Sequence, residues 1–409
     1  MTPSLRSISD AQCFIDGINV LPERPTVERR ILEALREHTP RIPVLVGDCG
    51  SGKTTLLQRI FELLGDGQSQ YIDTERITST PESLLTSLAE DSPYSYGQLE
   101  QDITLAVHQT PRNAFDALLG FLHQDTRSQS SQPIFLFDEA LALRTLESFP
   151  GLRGVLREFF TAISASQNRF VLSSRYVNRT LRLMRDLPDQ FEVIHVNPLT
   201  HDETIAILDQ HGVEAGEPEQ RDLARIVHAL SDGRARYVSS LARSLGSTDG
   251  VSGRDPVSAL VSLITRGGSI YWSCQFSYEL RLHHARGYGA LKAILAILAD
   301  EEPLTLTNVS QRIGRTPGST KDYLSWLEDV DLVTVRQKRY SFNDPILRLW
   351  VRIYCRSSPP SEAALATEVQ EYAVQRLPFV ESFTDNARTI ATDPPDKPEN
   401  SSWGMLEID

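Results

Sequence analysis

Residues 47–54 read Gly-Asp-Cys-Gly-Ser-Gly-Lys-Thr and directly follow the apolar run Ile42-Pro43-Val44-Leu45-Val46. The helix-forming stretch Leu56-Leu57-Gln58-Arg59-Ile60-Phe61 comes next. A buried strand, a glycine-rich loop and a helix in this order, with the spacing G-x-x-x-x-G-K-T, are typical of a phosphate-binding loop. Its glycines let successive N–H groups point at phosphate oxygens at the positive end of a helix. The sequence therefore predicts a nucleoside triphosphate site, in which Lys53 reaches the β- and γ-phosphates and Thr54 holds Mg²⁺.

A second motif follows about 85 residues later. Pro133-Ile134-Phe135-Leu136-Phe137 is a nearly continuous apolar run, as expected for a central strand of a parallel sheet, and it ends in Asp138-Glu139. We expect Asp138 to bind Mg²⁺ together with Thr54, and Glu139 to orient the attacking water. The predicted cofactors are thus ATP and Mg²⁺. The residues expected to contact the nucleotide are Gly47, Asp48, Cys49, Gly50, Ser51, Gly52, Lys53, Thr54 and Thr55.

Strands and helices alternate up to about residue 198, which predicts a three-layer α/β core with a parallel sheet. One of its strands, Arg169-Phe170-Val171-Leu172-Ser173-Ser174, leads to Arg175. The carboxyl ends of parallel strands gather around the ligand, so Arg175 is expected near the γ-phosphate as a catalytic and sensing residue with Lys53 and Glu139. A surface arginine at a strand end remains the alternative.

The pattern from residue 200 to about 265 is helical, which predicts a small lid. Within it, Asp232-Gly233-Arg234-Ala235-Arg236 opens a helix, and an arginine there can couple the phosphates to the lid angle. Arg236 is the first choice and Arg234 the second. The predicted division of the chain is an ATPase core at 1–199, a helical lid at 200–280, a winged helix at 281–356 and an acidic, partly disordered tail at 357–409.

Residues 281–356 hold 12 Lys and Arg against 8 Asp and Glu, although the whole chain carries a net charge of −13. Three helices from Tyr288 to Val330 are followed by a hairpin with the basic tip Arg336-Gln337-Lys338-Arg339, an order typical of a winged helix. Duplex DNA is one expected partner, bound through residues 305–342. Asp322, Glu328 and Asp329 on the third helix favour the alternative, in which the module packs against the core or a protein partner.

The bulk composition excludes several classes of protein. The chain has 409 residues, of which 40% are hydrophobic and 23% charged, and no stretch of about 20 uninterrupted apolar residues. Its start lacks the apolar core of a secretion signal. Four cysteines are scattered without metal-ligand spacing, so neither a disulfide framework nor a zinc site is indicated. We expect a cytoplasmic protein with no membrane partner.

These motifs together resemble the AAA+/STAND group of P-loop ATPases, and in particular the archaeal-type ATPases with a C-terminal winged helix. The matching segments are residues 47–54, Phe137-Asp138-Glu139, Ser173-Ser174-Arg175, Val196-Asn197-Pro198-Leu199-Thr200, and Phe342-Asn343-Asp344-Pro345-Ile346-Leu347-Arg348-Leu349-Trp350, the last resembling that family's DP-x-x-R-x-W ending. Gly233-Arg234-Ala235-Arg236 departs from the Gly-x-Pro typical of STAND proteins and resembles the lid arginine motif of origin-recognition initiators. The resemblance therefore leaves open an ATP-dependent ring-like oligomer or a slow switch.

The sequence favours an ATP-hydrolysing switch in which nucleotide state moves the lid and the winged helix. One version acts on DNA in replication, mobile-element handling or defence. The other is a regulatory ATPase whose winged helix and tail bind a protein partner. A third reading is a nucleotide-binding scaffold with negligible hydrolysis.

Overall fold

A parallel sheet of five strands organises the first half of the molecule. Its order is β2-β3-β4-β1-β5. The strands are β1 (Ile42–Val46), β2 (Ser69–Asp73), β3 (Ile134–Asp138), β4 (Arg169–Ser174) and β5 (Phe191–His195). Every pairing is parallel and in regular register, and the three central strands are almost wholly buried. The predicted α/β class with a parallel sheet is confirmed.

Helices cover both faces of this sheet. They are α1 (Pro25–Arg36), α2 (Lys53–Leu64), α3 (Thr74–Ile77), α4 (Pro81–Glu90), α5 (Pro111–His123), α6 (Val155–Ala165) and α7 (Val177–Met184), with a 3₁₀ helix at Ala140–Ser148. Alternation along the strands divides the apolar side chains between two clusters. Leu45, Leu136 and Val171 pack with α1 and α2 on one face. Phe135, Phe137 and Phe170 pack on the other.

The second half of the molecule is mainly helical. Its first five helices are α8 (His201–Gln210), α9 (Glu217–Ser231), α10 (Ala235–Gly246), α11 (Pro256–Ile264) and α12 (Ser269–Leu282). Thr200 and Glu203 form a capping box at the start of α8, in which the side chain of each accepts from the backbone N–H of the other. This segment is helical, as predicted for the lid.

Residues 287–342 contain the predicted three helices, which are α13 (Tyr288–Asp300), α14 (Leu306–Arg312) and α15 (Pro317–Asp329). The predicted hairpin consists of β7 (Val333–Arg336) and β8 (Arg339–Phe342), and a further short strand, β6 (Leu304–Thr305), precedes α14. The three short strands form an antiparallel sheet in the order β6-β8-β7. We call residues 287–356, which also include α16 (Pro345–Tyr354), the C-terminal module.

A last helix, α17 (Glu362–Arg376), ties the C-terminal module to the helices before it. Arg352 of α16 pairs with Glu368 at 2.7 Å, and the Tyr372 hydroxyl donates to the Leu230 carbonyl at 2.6 Å. Arg376 pairs with Asp232 at 3.1 Å. One continuous apolar cluster runs from Leu199 to Ala373 through all these helices. The lid helices and the C-terminal module therefore share a hydrophobic core.

The structure is a computed structural model. It describes residues 24–37, 41–65, 67, 69–94, 106, 109–123, 132–213, 216–247, 255–282, 287–356 and 360–377. The predicted disordered end of the tail lies outside these residues. No helix among the described residues is both long and apolar enough to span a membrane.

Candidate nucleotide-binding site

The phosphate-binding loop joins β1 to α2 as the motif requires. Gly52 has φ of 94° and precedes the first residue of α2, Lys53, so the lysine stands at the positive end of the helix. The Lys53 ammonium is 5% exposed and donates to the carbonyls of Gly47 at 2.8 Å and Asp48 at 2.9 Å. Burial lowers the pKa of Lys53, while the nearby carboxylate of Glu139 opposes that shift.

Thr54 and Asp138 lie side by side although 84 residues separate them in the sequence. The Thr54 hydroxyl donates to Oδ2 of Asp138 at 2.8 Å. Burial of Asp138 and the charge of Glu139 raise the pKa of its carboxyl, whereas the hydroxyls of Ser173, Thr54 and Tyr71 act in the opposite direction. A hydroxyl and a carboxylate are oxygen ligands of the kind that Mg²⁺ takes beside nucleotide phosphates, so the two residues fit the metal.

Glu139 is held in an unusual position at the end of β3. Its φ is 54°, in the left-handed region, which costs a residue other than glycine about 1–3 kcal/mol. The Glu139 N–H donates to the Ser173 hydroxyl at 2.9 Å. Its carboxylate accepts from the backbone N–H of Arg175 at 3.0 Å and lies 3.1 Å from the Arg175 Nε. The strained backbone thus aims the carboxylate at the end of the neighbouring strand β4.

Arg175 links two acidic side chains. Besides Glu139, its guanidinium pairs with Glu75 in α3, the short helix after β2. Burial opposes the charge on Arg175, but Glu139 and Glu75 outweigh it and raise the pKa of the guanidinium. Burial raises the pKa of Glu75, and Arg175 counteracts that rise. Arg175 therefore lies at the carboxyl edge of the sheet, as predicted, and is bound to the carboxylate of Glu139.

The lid reaches the phosphate-binding loop through the turn before α10. Asp232 and Gly233 have φ of 56° and 64°, and a Cβ on Gly233 would lie 2.7 Å from the Leu199 carbonyl oxygen. This tight turn delivers Arg236, whose N–H donates to the Gly50 carbonyl at 3.0 Å. The Arg236 side chain covers Gly50 so closely that a Cβ on Gly50 would lie 2.8 Å from it. Arg236 thus contacts the phosphate-binding loop at Gly50.

Arg234 makes a different contact, which sequence reasoning missed. Its side chain is 5% exposed, and it pairs with Asp48 of the loop at 3.0 Å and Asp344 of the C-terminal module at 3.8 Å. It also donates to the Asn343 carbonyl at 2.6 Å. The Asn343 amide in turn donates to the Asp48 carboxylate at 2.8 Å. Asp48 is therefore the point at which the loop, the lid and the C-terminal module meet.

Cys49 lies beside these groups, with its Sγ 3.9 Å from the Arg236 guanidinium. Burial would raise the pKa of the thiol, but the charges of Arg236, Arg281, Arg175 and Lys53 bring it to about 7. The excess of positive charge around this thiol suits a loop that receives phosphates.

The C-terminal module also contacts the core through α7, which begins two residues after Arg175. The Asn178 amide donates to the Asp331 carboxylate at 2.9 Å and to the Glu328 carbonyl at 3.1 Å. Arg182 pairs with Asp329 at 3.1 Å. Burial raises the pKa of Asp331 to about 6. The acidic end of α15 thus faces the core.

The structure brings together the residues that the two motifs predicted. Lys53, Thr54, Asp138 and Glu139 meet at one edge of the sheet. Tyr71 contacts Asp138 and Glu75 contacts Arg175, and no motif marks either residue. Asn343 contacts Asp48. Asn343 was part of the segment used for the resemblance, which was the available signal for its contact with the loop.

Comparisons with known proteins agree with this architecture. Residues 36–189 match the family model described as an AAA domain. A comparison with curated protein sequences finds no relative. The Walker-type ATPase paby2304 of Pyrococcus abyssi is 18% identical, with a TM-score of 0.59 over 81% of this chain and 96% of that one. The ORC2 protein of Aeropyrum pernix, solved in ADPNP–ADP complexes, is 18% identical, with a TM-score of 0.51 over 88% of this chain and 96% of that one. At this identity the likeness concerns the fold.

Proposed function

We propose that the chain is an ATP-hydrolysing switch whose nucleotide site controls the placement of its C-terminal module. The match of residues 36–189 to the AAA domain model supports the ATPase part of this proposal. The observation that carries the rest is the pair of contacts that Asp48 makes with the lid and with the module. A carboxylate inside the phosphate-binding loop accepts from the lid arginine Arg234 and from Asn343 of the module. A change in the loop on nucleotide binding is therefore felt directly by both.

The residues of the loop and sheet edge have distinct roles in this proposal. N–H groups of residues 47–55 and the Lys53 ammonium bind the phosphates. Thr54 and Asp138 would hold Mg²⁺, which would supply positive charge beside the phosphoryl oxygens. Glu139 aligns the attacking water and accepts its proton as the water oxygen bonds to the γ-phosphorus and the bond to the leaving ADP oxygen breaks. Positioning and charge stabilisation supply most of the rate increase in such a reaction.

Arg175 connects the chemistry to the module. In the structure Glu139 and Glu75 compete for its guanidinium. A γ-phosphate carries more charge than either carboxylate, so we propose that it draws Arg175 away and frees Glu139 to act on water. The displacement is passed to α7, where Asn178 holds the module through Asp331. The module thus responds to the third phosphate at two points, Asp48 and Asn178.

We further propose that the module is a winged helix that binds duplex DNA. Asp329 and Glu328, which weighed against DNA in the sequence, lie at the end of α15 that faces the core, where Asp329 pairs with Arg182 and the Glu328 backbone contacts Asn178. Arg315 and Lys321 are exposed at the other end of α15, and Arg336, Lys338 and Arg339 are exposed on the hairpin. Asp322 is also exposed beside Lys321, so the basic surface suited to phosphate contacts is mainly that of the hairpin.

A protein-binding regulatory ATPase is the second candidate, favoured by an apolar surface on α12. Trp272 and Phe276 are 53% and 57% exposed and are spaced by one helical turn. Exposed aromatic pairs of this kind are common at protein interfaces. In this case the basic hairpin would have no role in binding.

DNA affinity measured over a salt series, with ADP or ATP bound, separates these candidates. Glu139→Gln should still bind ATP while turnover falls about 100-fold or more, which traps the ATP state for the titration. Changing Arg336, Lys338 and Arg339 together to Gln should weaken DNA binding and reduce the slope of log affinity against log salt by about 2–3. The matched control changes three exposed arginines of the core, Arg29, Arg36 and Arg153, to Gln.

Two results would contradict the proposal. Wild-type turnover by Glu139→Gln would remove this residue from its water-positioning role. Equal salt slopes for the hairpin variant and the control would mean that net charge alone governs binding, and the protein-binding candidate would then be preferred.

A further inference from the structure

The carboxylate of Asp138 accepts hydrogen bonds from three hydroxyl groups. Thr54 donates to Oδ2 at 2.8 Å, Tyr71 donates to the same oxygen at 3.1 Å, and Ser173 donates to Oδ1. Thr54 and Ser173 belong to segments that the motifs had marked, but Tyr71 belongs to β2, which no motif covers. Its contact with Asp138 has no role in the mechanism described so far.

The position of Tyr71 is fixed on several sides. β2 and β3 are paired in register, with Tyr71 opposite Leu136. The ring packs against Phe61 with centroids 6.3 Å apart. The side chain of Gln58, one turn after Thr54 on α2, lies near the Tyr71 hydroxyl. A tyrosine hydroxyl is protonated at neutral pH, so it acts as a donor to the Asp138 carboxylate.

We propose that Tyr71 is a positioning residue that orients the Asp138 carboxylate for the metal–nucleotide complex. The terminal torsion of an aspartate is soft, so the orientation of its carboxylate depends on its hydrogen-bond donors. The Thr54 oxygen is itself a proposed metal ligand, and the Ser173 oxygen also accepts from the Glu139 N–H. Tyr71 has neither task, so it holds the carboxylate without competing for the metal. Partners of metal ligands commonly alter metal affinity in this way.

This inference rests on the proposed nucleotide site, and its test is Tyr71→Phe, which removes the hydroxyl and keeps the ring on Phe61. Binding of a fluorescent ADP is measured at increasing Mg²⁺, without turnover. We expect the Mg²⁺ concentration for half-maximal effect to rise about three- to tenfold, while affinity for ADP without Mg²⁺ stays within about twofold of wild type.

Tyr94→Phe is the matched control. Tyr94 is also a tyrosine whose hydroxyl contacts β3, but at the first residue of that strand, where the Ile134 N–H donates to it at 3.0 Å. Its removal loosens the same strand at the end far from Asp138. We expect Tyr94→Phe to lower thermal stability and leave the Mg²⁺ dependence unchanged.

The outcomes distinguish this inference from the function it rests on. If wild-type ADP binding does not depend on Mg²⁺ at all, the proposed metal site is wrong. If wild type depends on Mg²⁺ and Tyr71→Phe behaves identically, the positioning role is wrong. An equal shift in Tyr71→Phe and Tyr94→Phe would also overturn it, because general loosening of β3 would then be the cause.

Discussion

The phosphate-binding loop has two sides that differ in how they are built. On one side Lys53 and Thr54 face Asp138 and Glu139, and every one of these residues belongs to a recognisable motif. On the other side Asp48 faces Arg234 and Asn343, which come from regions about 185 and 295 residues further along the chain. The first side has the groups needed for chemistry, and the second has the groups that hold the rest of the molecule. The same loop of eight residues thus serves catalysis and docking.

The largest expected effect on the docking side is that of Arg234→Met. It leaves the carboxylates of Asp48 and Asp344 without their cation, and breaking a buried ion pair costs about 3–5 kcal/mol. Because Asp48 is partly exposed, we expect the free energy of unfolding to fall by about 3 kcal/mol, measured by chemical denaturation.

Arg236→Met, two residues further on, is the matched control. The Arg236 guanidinium is half-buried and reaches the Cys49 sulfur without a carboxylate partner within 4 Å among the described residues. We expect this variant to keep its stability within about 1 kcal/mol and to lose nucleotide affinity. Equal destabilisation by both substitutions would erase the distinction between the two arginines.

A smaller effect is expected at the second docking point, Asp331. Its pKa of about 6 in the folded protein is above the ordinary value near 3.9, so the folded state favours the protonated form. The contribution of the protonated Asp331 carboxyl to the stability of the fold is fully present below about pH 4, and it is lost as the pH rises through 6. Asp331→Asn removes the charge and tolerates φ of 54°.

The free energy of unfolding of Asp331→Asn should therefore exceed that of wild type by about 2 kcal/mol at pH 7.5, and by about half that amount at pH 5. Chemical denaturation at the two pH values measures it. An advantage that is equal at both would show that the charge of Asp331 is not its source.

The smallest effect is expected from Asn343→Ala. It deletes one hydrogen bond to Asp48 from a half-buried amide and leaves the Arg234 ion pair in place. The loss of stability should be about 1 kcal/mol. A loss as large as that of Arg234→Met would make Asn343, and not the arginine, the main link between the module and the loop.

The difference between the two sides also explains what could be predicted from sequence. Lys53, Thr54, Asp138 and Glu139 were identified because the spacing of a glycine-rich loop and the end of an apolar strand have local physical causes. The three strands predicted at 42–46, 133–137 and 169–174 lie within one residue of β1, β3 and β4 for the same reason.

The docking side depends on how distant segments are packed, which no local pattern encodes. The sequence ranks Arg236 above Arg234 as the lid arginine, but it does not predict the ion pair of Arg234 with Asp48. The turn at Gly233 buries Arg234 and places Arg236 over Gly50. Asp329 argues against DNA binding in the sequence because no local pattern shows that its negative charge is paired with Arg182, 147 residues away. Glu75 and Tyr71 gain their contacts only when β2 pairs with β3.

The anchoring of α17 sets a practical limit on how the protein can be shortened. Arg376 pairs with Asp232, two residues before Arg234, and Leu365, Val369 and Ala373 are buried against the preceding helices. A fragment that stops at residue 356 would expose to water the apolar surface that these side chains cover, and we expect it to aggregate. Expression boundaries, purification tags and fluorescent fusions therefore belong beyond residue 377, where they leave this anchor intact.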